Sequence, residues 1–334
     1  MKGGHKELIQ KYTKEIGLCL VLILLFCIFS LVNPERFLSL NNFKTMMKQM
    51  PELGLLTMAI MLVILTGGNN LSNVATASLS GIISALVMRN LNSDGDGGLL
   101  CVVAGLVVGL VVALLCGALN GLFAAIIGVA AMLATLASST FFEGISMNVT
   151  QGAAISGFPE IVYQMSRAEV AGIPVLFWIF IICAVIAQVL LTKTRWGRTV
   201  YMLGSNEVAT EYSGITVKKE LFKVYLLSAV FSFVAGIVMI SRYNSAKVDY
   251  GSSYLLQSLT ATVLGGVDIS GGNGSIAGCV IAVMILQVIS SGMNILNINR
   301  FFTDIITGAI LITVLAFHYI AKIIKVKRAG KIRD

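Results

Sequence analysis

The chain has 334 residues, 57% of them hydrophobic and only 12% charged, about half the roughly 25% charged content of ordinary soluble domains. That balance excludes a soluble globular protein and makes this an integral membrane protein. The net charge of +8 needs no nucleic-acid partner, because it gathers beside apolar runs, where a basic face meets anionic lipid.

Crossing a hydrocarbon core takes about 20 residues of apolar helix. Such runs are read, in chain order, at Ile16–Val32, Met46–Thr66, Leu71–Met88, Leu99–Ile127, Met132–Val149, Val175–Leu191, Leu221–Ile240, Leu255–Val267, Ser275–Met293 and Phe302–Ile320. Lys2, Lys6, Lys11 and Lys14 before the first run resemble a signal peptide, but Asn33-Pro34-Glu35-Arg36 follows where a small-residue cleavage site belongs. The run is therefore read as a retained helix. The expected organisation is one transmembrane domain over 16–320, between a cytoplasmic N-terminal segment 1–15 and a basic cytoplasmic tail 321–334. These ends and the loop 192–223 hold four, six and six of the 24 Lys and Arg, which places all three on the inner side.

Two short segments echo each other. Thr66-Gly67-Gly68-Asn69-Asn70-Leu71-Ser72 and Leu264-Gly265-Gly266-Val267-Asp268-Ile269-Ser270 share a double glycine, then Asn or Asp, an aliphatic residue and Ser. Paired interruptions in the two halves of a transporter mark where helices break and solute passes. Asn69, Asn70, Ser72, Asp268 and Ser270 are thus read as path-lining donors and acceptors, with helix capping as the alternative. Gly105, Gly109, Gly117 and Gly121 have the four-residue spacing that lets helices approach closely. The polar, Gly- and Pro-punctuated stretch Thr150–Pro174 either caps the outer mouth, lines a cavity, or is a plain connector.

The other intramembrane polar groups are few. Asn120, Thr135, Glu143, Asn148, Gln257, Thr260, Thr262, Gln287, Asn294 and Asp304 make up the set, with Glu143 read as the deepest carboxylate. Asn120 and Gln257 join the expected path. Amides and hydroxyls without a relay of acids and bases suit a neutral, hydroxylated solute better than an ion. Six scattered cysteines and two histidines at opposite chain ends point to no disulfide framework, metal site or His-based catalysis. A phosphate-cradling loop is also absent from the sequence, so this polypeptide is not expected to hydrolyse ATP and no cofactor is expected here. The loop 192–223 offers the remaining clue: Ser205 or Asn206 caps a short helix carrying Glu207, Ala209, Thr210, Glu211 and Tyr212 and ending at Gly214. A short helix held away from the membrane suits a groove on a partner.

At these residues the sequence resembles the permease subunits of bacterial ATP-binding-cassette importers of the ribose and simple-sugar class, relatives of branched-chain amino acid and nucleoside permeases. The resemblance covers about Asn41 to Phe317. It rests on Thr66–Ser72, on Gly117-Ala118-Leu119-Asn120-Gly121, on Gly197-Arg198 through Gly214-Ile215, and on Leu264–Gly274. Two departures stand out: Asn70 where the family usually has Asp, and Gly128-Val129-Ala130-Ala131 without the usual proline, which implies a straighter start to the fifth span.

The resemblance implies an all-α polytopic protein of about ten transmembrane helices, built like type II importer permeases. It further implies a dimer with an identical or related permease, a separate cytoplasmic ATPase and an extracytoplasmic binding protein, in a bacterial plasma membrane with both termini inside. The solute would be a monosaccharide, or else a nucleoside or furanosyl autoinducer. Asn206, Glu207, Ala209, Glu211, Ser213 and Gly214 would form the coupling helix in the ATPase groove. An ion-coupled secondary transporter is the rival reading.

Overall fold

The structure is a computed structural model that describes residues 3–92, 98–299, 301–310, 312–314 and 316, with side chains from Glu15 onward. The tail 321–334, residues 317–320 of the tenth expected span, and the side chains of the first fourteen residues lie outside what is described.

The chain is all-α and polytopic. Helix α1 (Gly3–Val32) gives way to a single turn, α2 (Pro34–Phe37), and then to α3 (Leu40–Ile64), capped by the Ser39 hydroxyl accepting the Asn42 amide at 3.2 Å. Next come α4 (Asn73–Leu91) and α5 (Gly98–Gly121), which continues as a π-helix over Leu122–Ile127. Helix α6 (Ala131–Thr150) does not start straight. Gly128 sits at φ 87° and Ala130 at φ −50°, ψ 121°, outside the helical region, so the chain turns just before the helix begins.

Among the described residues, seven helices are long and apolar enough to cross a membrane, against ten spans expected from sequence. Helix α6 has 20 residues, but Ser138, Ser139, Glu143 and Asn148 make it more polar than those seven. The eighth expected span is only α12 (Tyr254–Leu264), 11 residues long. At 1.5 Å per residue it covers about 16 Å, roughly half a hydrocarbon core. Of the tenth, an apolar helix between Phe301 and Val314 is described in part.

Helix α3 is the axis of the bundle. Leu55, Leu56, Ile60, Met61 and Leu62 are wholly buried, because α8 (Val175–Lys193), α11 (Val217–Tyr243), α12 and α13 (Ile276–Ile295) pack around it. The α5 glycines serve packing within the subunit. A Cβ at Gly109 would lie 2.9 Å from the Ser80 carbonyl on α4, and one at Gly117 2.9 Å from the Tyr225 carbonyl on α11. The outer faces of α5 and α8 expose aliphatic side chains such as Leu100, Val107, Ile182 and Val185, which is how a protein meets lipid.

The stretch Thr150–Pro174 is folded. It holds α7 (Glu160–Arg167) and an antiparallel pair of two-residue strands, β1 (Glu169–Val170) and β2 (Ile173–Pro174). Phe158 and Val162 bury themselves against Ile82, Met88 and Ile240, and the Ser241 hydroxyl donates to the Val162 carbonyl at 2.6 Å.

Candidate functional site

The two echoing segments both end helices in the same way. At the end of α3 the Gly68 amide reaches back to the Val63 carbonyl (3.2 Å), with Gly67 left-handed at φ 81°. At the end of α12 the Val267 amide reaches the Thr262 carbonyl (3.3 Å), with Gly266 at φ 84°. Both are glycine-terminated caps of the Schellman type. Gly67 therefore corresponds to Gly266 rather than Gly265, one residue out of the register in which the sequence aligns them. Register returns at the next pair, where Asn70 Oδ1 accepts the Ser72 amide (3.1 Å) and Asp268 Oδ1 accepts the Ser270 amide (2.9 Å). These are equivalent Asx turns.

The turns touch. The Gly272 amide donates to the Leu65 carbonyl at 2.9 Å, and a Cβ at Gly271 would come within 2.6 Å of the Gly67 amide nitrogen. Gly204 closes the group: a Cβ there would overlap both the Leu65 carbonyl oxygen and the Gly272 amide nitrogen. Gly204 belongs to α9 (Arg195–Ser205), a helix that the sequence reading did not separate from the loop. Val200 and Leu203 fix α9 to the bundle, and the Tyr201 hydroxyl donates to the Gly274 carbonyl at 2.9 Å. Burial pushes the Tyr201 phenol up, so it remains a donor across the ordinary pH range.

Asn70, Ser72 and Asn120 form one buried network. Asn120 Nδ2 donates to Ser72 Oγ (2.7 Å), Ser72 Oγ donates to Asn70 Oδ1 (2.9 Å), and Asn70 Nδ2 donates to Ser228 Oγ (3.0 Å). Asn69 is half-buried beside a largely apolar cavity of about 410 Å³ that Gly67, Met132, Leu259 and Ile269 also line. Asp268 and Ser270 stand at the junction of the turns, Asp268 half-buried and Ser270 exposed. Gln257 is not with them. It faces a separate polar cavity near the other end of α3.

Helix α10 (Glu207–Tyr212) follows α9 directly. Asn206 is its cap, accepting the Ala209 amide at 2.9 Å, and Gly214 ends it at φ 82°. Glu207, Ala209, Glu211, Ser213 and Gly214 are all exposed, while Thr210 anchors the helix. Val208, which the sequence reading did not single out, and Tyr212, which it placed on the helix without a role, are 62% and 90% exposed. Their four-residue spacing puts them on one face, an apolar pair at a polar loop.

Among the described residues the deepest carboxylate is Glu52, not Glu143. Glu143 lies on the exposed side of α6, whereas Glu52 is wholly buried in α3. Arg242 holds it with two donors, Nε to Oε1 and Nη2 to Oε2 (2.9 Å), and the Tyr254 hydroxyl donates to Oε2 at 2.7 Å. Both residues escaped the sequence reading. A carboxylate within the run Met46–Thr66 was the signal for one, since such groups are rare without a partner; Arg242 falls just past the expected run Leu221–Ile240 but lies inside α11. Among the described residues no group of three His, Cys, Asp or Glu could hold a metal ion.

The family described as "Branched-chain amino acid transport system / permease component" matches residues 42–315. The chain belongs to this permease family. Relatives within it include the ribose import permease protein RbsC of Bacillus subtilis, 37% identical over 90% of this chain and 91% of the relative. The D-allose transport system permease protein AlsC of Escherichia coli is 30% identical over 90% of each chain. The autoinducer 2 import system permease protein LsrD of Photorhabdus temperata is 29% identical over 91% of this chain and 90% of its own. No solved structure matches. Membership makes this chain the membrane-spanning permease component of a transport system.

Proposed function

We propose that the chain is the membrane subunit of an ATP-driven importer that passes a monosaccharide, a pentose or hexose, across a bacterial plasma membrane. Two permease subunits, identical or closely related, form the path, and a cytoplasmic ATPase on a separate chain drives it. An extracytoplasmic binding protein delivers the sugar. Loop 192–223 and both termini face the cytoplasm, in line with the clustering of Lys and Arg.

The observation that carries this reading is α10, an exposed capped helix whose predecessor α9 is wedged through Gly204 into both glycine turns. A push on α10 from a closing ATPase pair reaches the ends of α3 and α12 through backbone contacts that cannot yield separately. Interfaces packed this closely switch between discrete arrangements. Asn70, Ser72 and Asn120 hold the first turn in shape, while Asn69, Asp268 and Ser270 meet solute as the turns part. Gln257 meets it near the opposite end of the bundle.

The names of the ribose and allose relatives support a sugar, and the autoinducer 2 relative supports a furanosyl autoinducer as the second reading. The test is uptake of labelled D-ribose and D-allose into proteoliposomes holding the permease, its ATPase and its binding protein. ATP-dependent uptake of either sugar supports the proposal. Uptake by this chain alone, driven by a sodium or proton gradient, would replace it with an ion-coupled transporter.

A further inference from the structure

We propose that the polar cavity at the end of the bundle remote from α10 is a binding site for a neutral, polyhydroxylated solute of monosaccharide size. The proposal rests on the importer reading and adds where the permease itself holds its cargo. Asn42 and Gln49 contribute from the start of α3, Arg242 from the end of α11 and Asn294 from the end of α13. Gln49 is some fifteen residues from the glycine turn, about 22 Å of helix.

The cavity measures about 390 Å³, at the lower end of the roughly 300–1,000 Å³ of small-molecule sites. Its chemistry differs from that of the cavity beside Asn69: among the described side chains around it, Ile298 alone is aliphatic. Part of this lining is committed to structure. Gln287 Nε2 donates to Gln49 Oε1 at 2.8 Å and Ser291 Oγ to Asn42 Oδ1 at 2.7 Å, tying α13 to α3. Glu52, with Arg242 and Tyr254 on its oxygens, ties in α11 and α12.

The remainder is uncommitted. The side chains of Gln257, Ser290, Asn294 and Asp304 line the cavity and make no hydrogen bond among the described residues. An amide offers a donor and an acceptor side by side, and a carboxylate accepts two hydroxyl protons, which is the complement of a vicinal diol. Charge sets the class further. The guanidinium of Arg242 is matched by Glu52, so it offers no free cation for an anion, and Asp304 repels one. Among the described residues the lining therefore offers no unmatched cation, which favours a neutral sugar over a sugar phosphate.

The experiment uses the permease with its ATPase subunit in lipid nanodiscs, without binding protein, and saturation-transfer NMR with D-ribose, D-allose and D-ribose 5-phosphate as probes. At least one neutral sugar is expected to give saturable, millimolar binding, and the phosphate none. The double variant Gln257→Leu/Asn294→Leu should weaken that binding by about tenfold or more, the loss of two hydrogen-bonding amides. Asp304→Asn, which keeps shape, provides a second variant and should weaken it less. Absence of saturable binding by both sugars, equal binding of the phosphate, or undiminished binding in the double variant overturns the proposal. ATPase co-purification is scored on the same samples. Its loss in the unsubstituted complex strikes the importer reading instead.

Discussion

The backbone carbonyl of Leu65, at the end of α3, accepts a 2.9 Å hydrogen bond from the amide of Gly272, in the loop between α12 and α13. One short bond thus ties the long axial helix to the half-helix α12, with Gly204 of α9 pressed against both partners. No side chain intervenes, so movement of α9 has no rotamer in which to dissipate. Close backbone contact of this kind transmits displacement because packed interiors hardly compress.

Gly204→Ala inserts a methyl group where the Leu65 carbonyl and the Gly272 amide already meet. Overpacking of this kind typically costs about 1–3 kcal/mol, here at the joint between α9 and the two turns. ATP-dependent uptake should fall severalfold or more while ATPase co-purification is retained. Normal uptake by a folded Gly204→Ala protein would refute the transmission route.

On α10 the charge reversal Glu207→Lys/Glu211→Lys is expected to leave the protein inserted and to release the ATPase in pull-down. Val208→Asp should do the same alone, since it puts a charge on the exposed apolar pair with Tyr212. Unchanged pull-down in both variants would remove α10 as the docking element.

Removing one partner of the Glu52–Arg242 pair leaves a buried charge uncompensated, at a cost of about 3–5 kcal/mol. Glu52→Ala and Arg242→Ala should each markedly lower the thermal unfolding midpoint in detergent. The double variant Glu52→Ala/Arg242→Ala should lose less than the two single losses added together. Strict additivity would show that the pair does not act as a unit.

Asn70→Ala takes away the acceptor of the Ser72 amide and hydroxyl and the donor to Ser228. Buried groups left without partners cost about 1–3 kcal/mol, so stability and uptake should drop together. If uptake falls while the unfolding midpoint holds, Asn70 contacts solute directly.

Much of the fold could be read from composition and charge. Long apolar runs such as Val175–Leu191 and Leu221–Ile240 coincide with α8 and α11, because twenty such residues have few other stable states in lipid. Helix α10 was legible from Asn206 and Gly214, whose capping roles are local. What failed depends on tertiary context. Leu255–Val267 reads as a span although its helix stops at Leu264, since apolarity does not distinguish a half-helix buried against α3 from a full crossing. The one-residue slip between Gly67 and Gly266 was hidden because the dipeptides look alike and only the left-handed residue distinguishes them. Gln257 was read as a path residue with no place along the bundle, and only the fold sets it at a cavity away from the glycine turns.

The distance along the chain between Glu52 and Arg242 has a consequence for biogenesis. The two are 190 residues apart. At about 5–20 residues per second, a ribosome makes α3 roughly 10–40 s before α11 emerges. For that interval a helix bearing a lone carboxylate waits in or beside the insertion machinery without its counter-ion. The axial helix of the bundle is therefore among the last to be fully seated, and a nascent chain cut short before Tyr243 cannot complete the interior around which everything else is arranged.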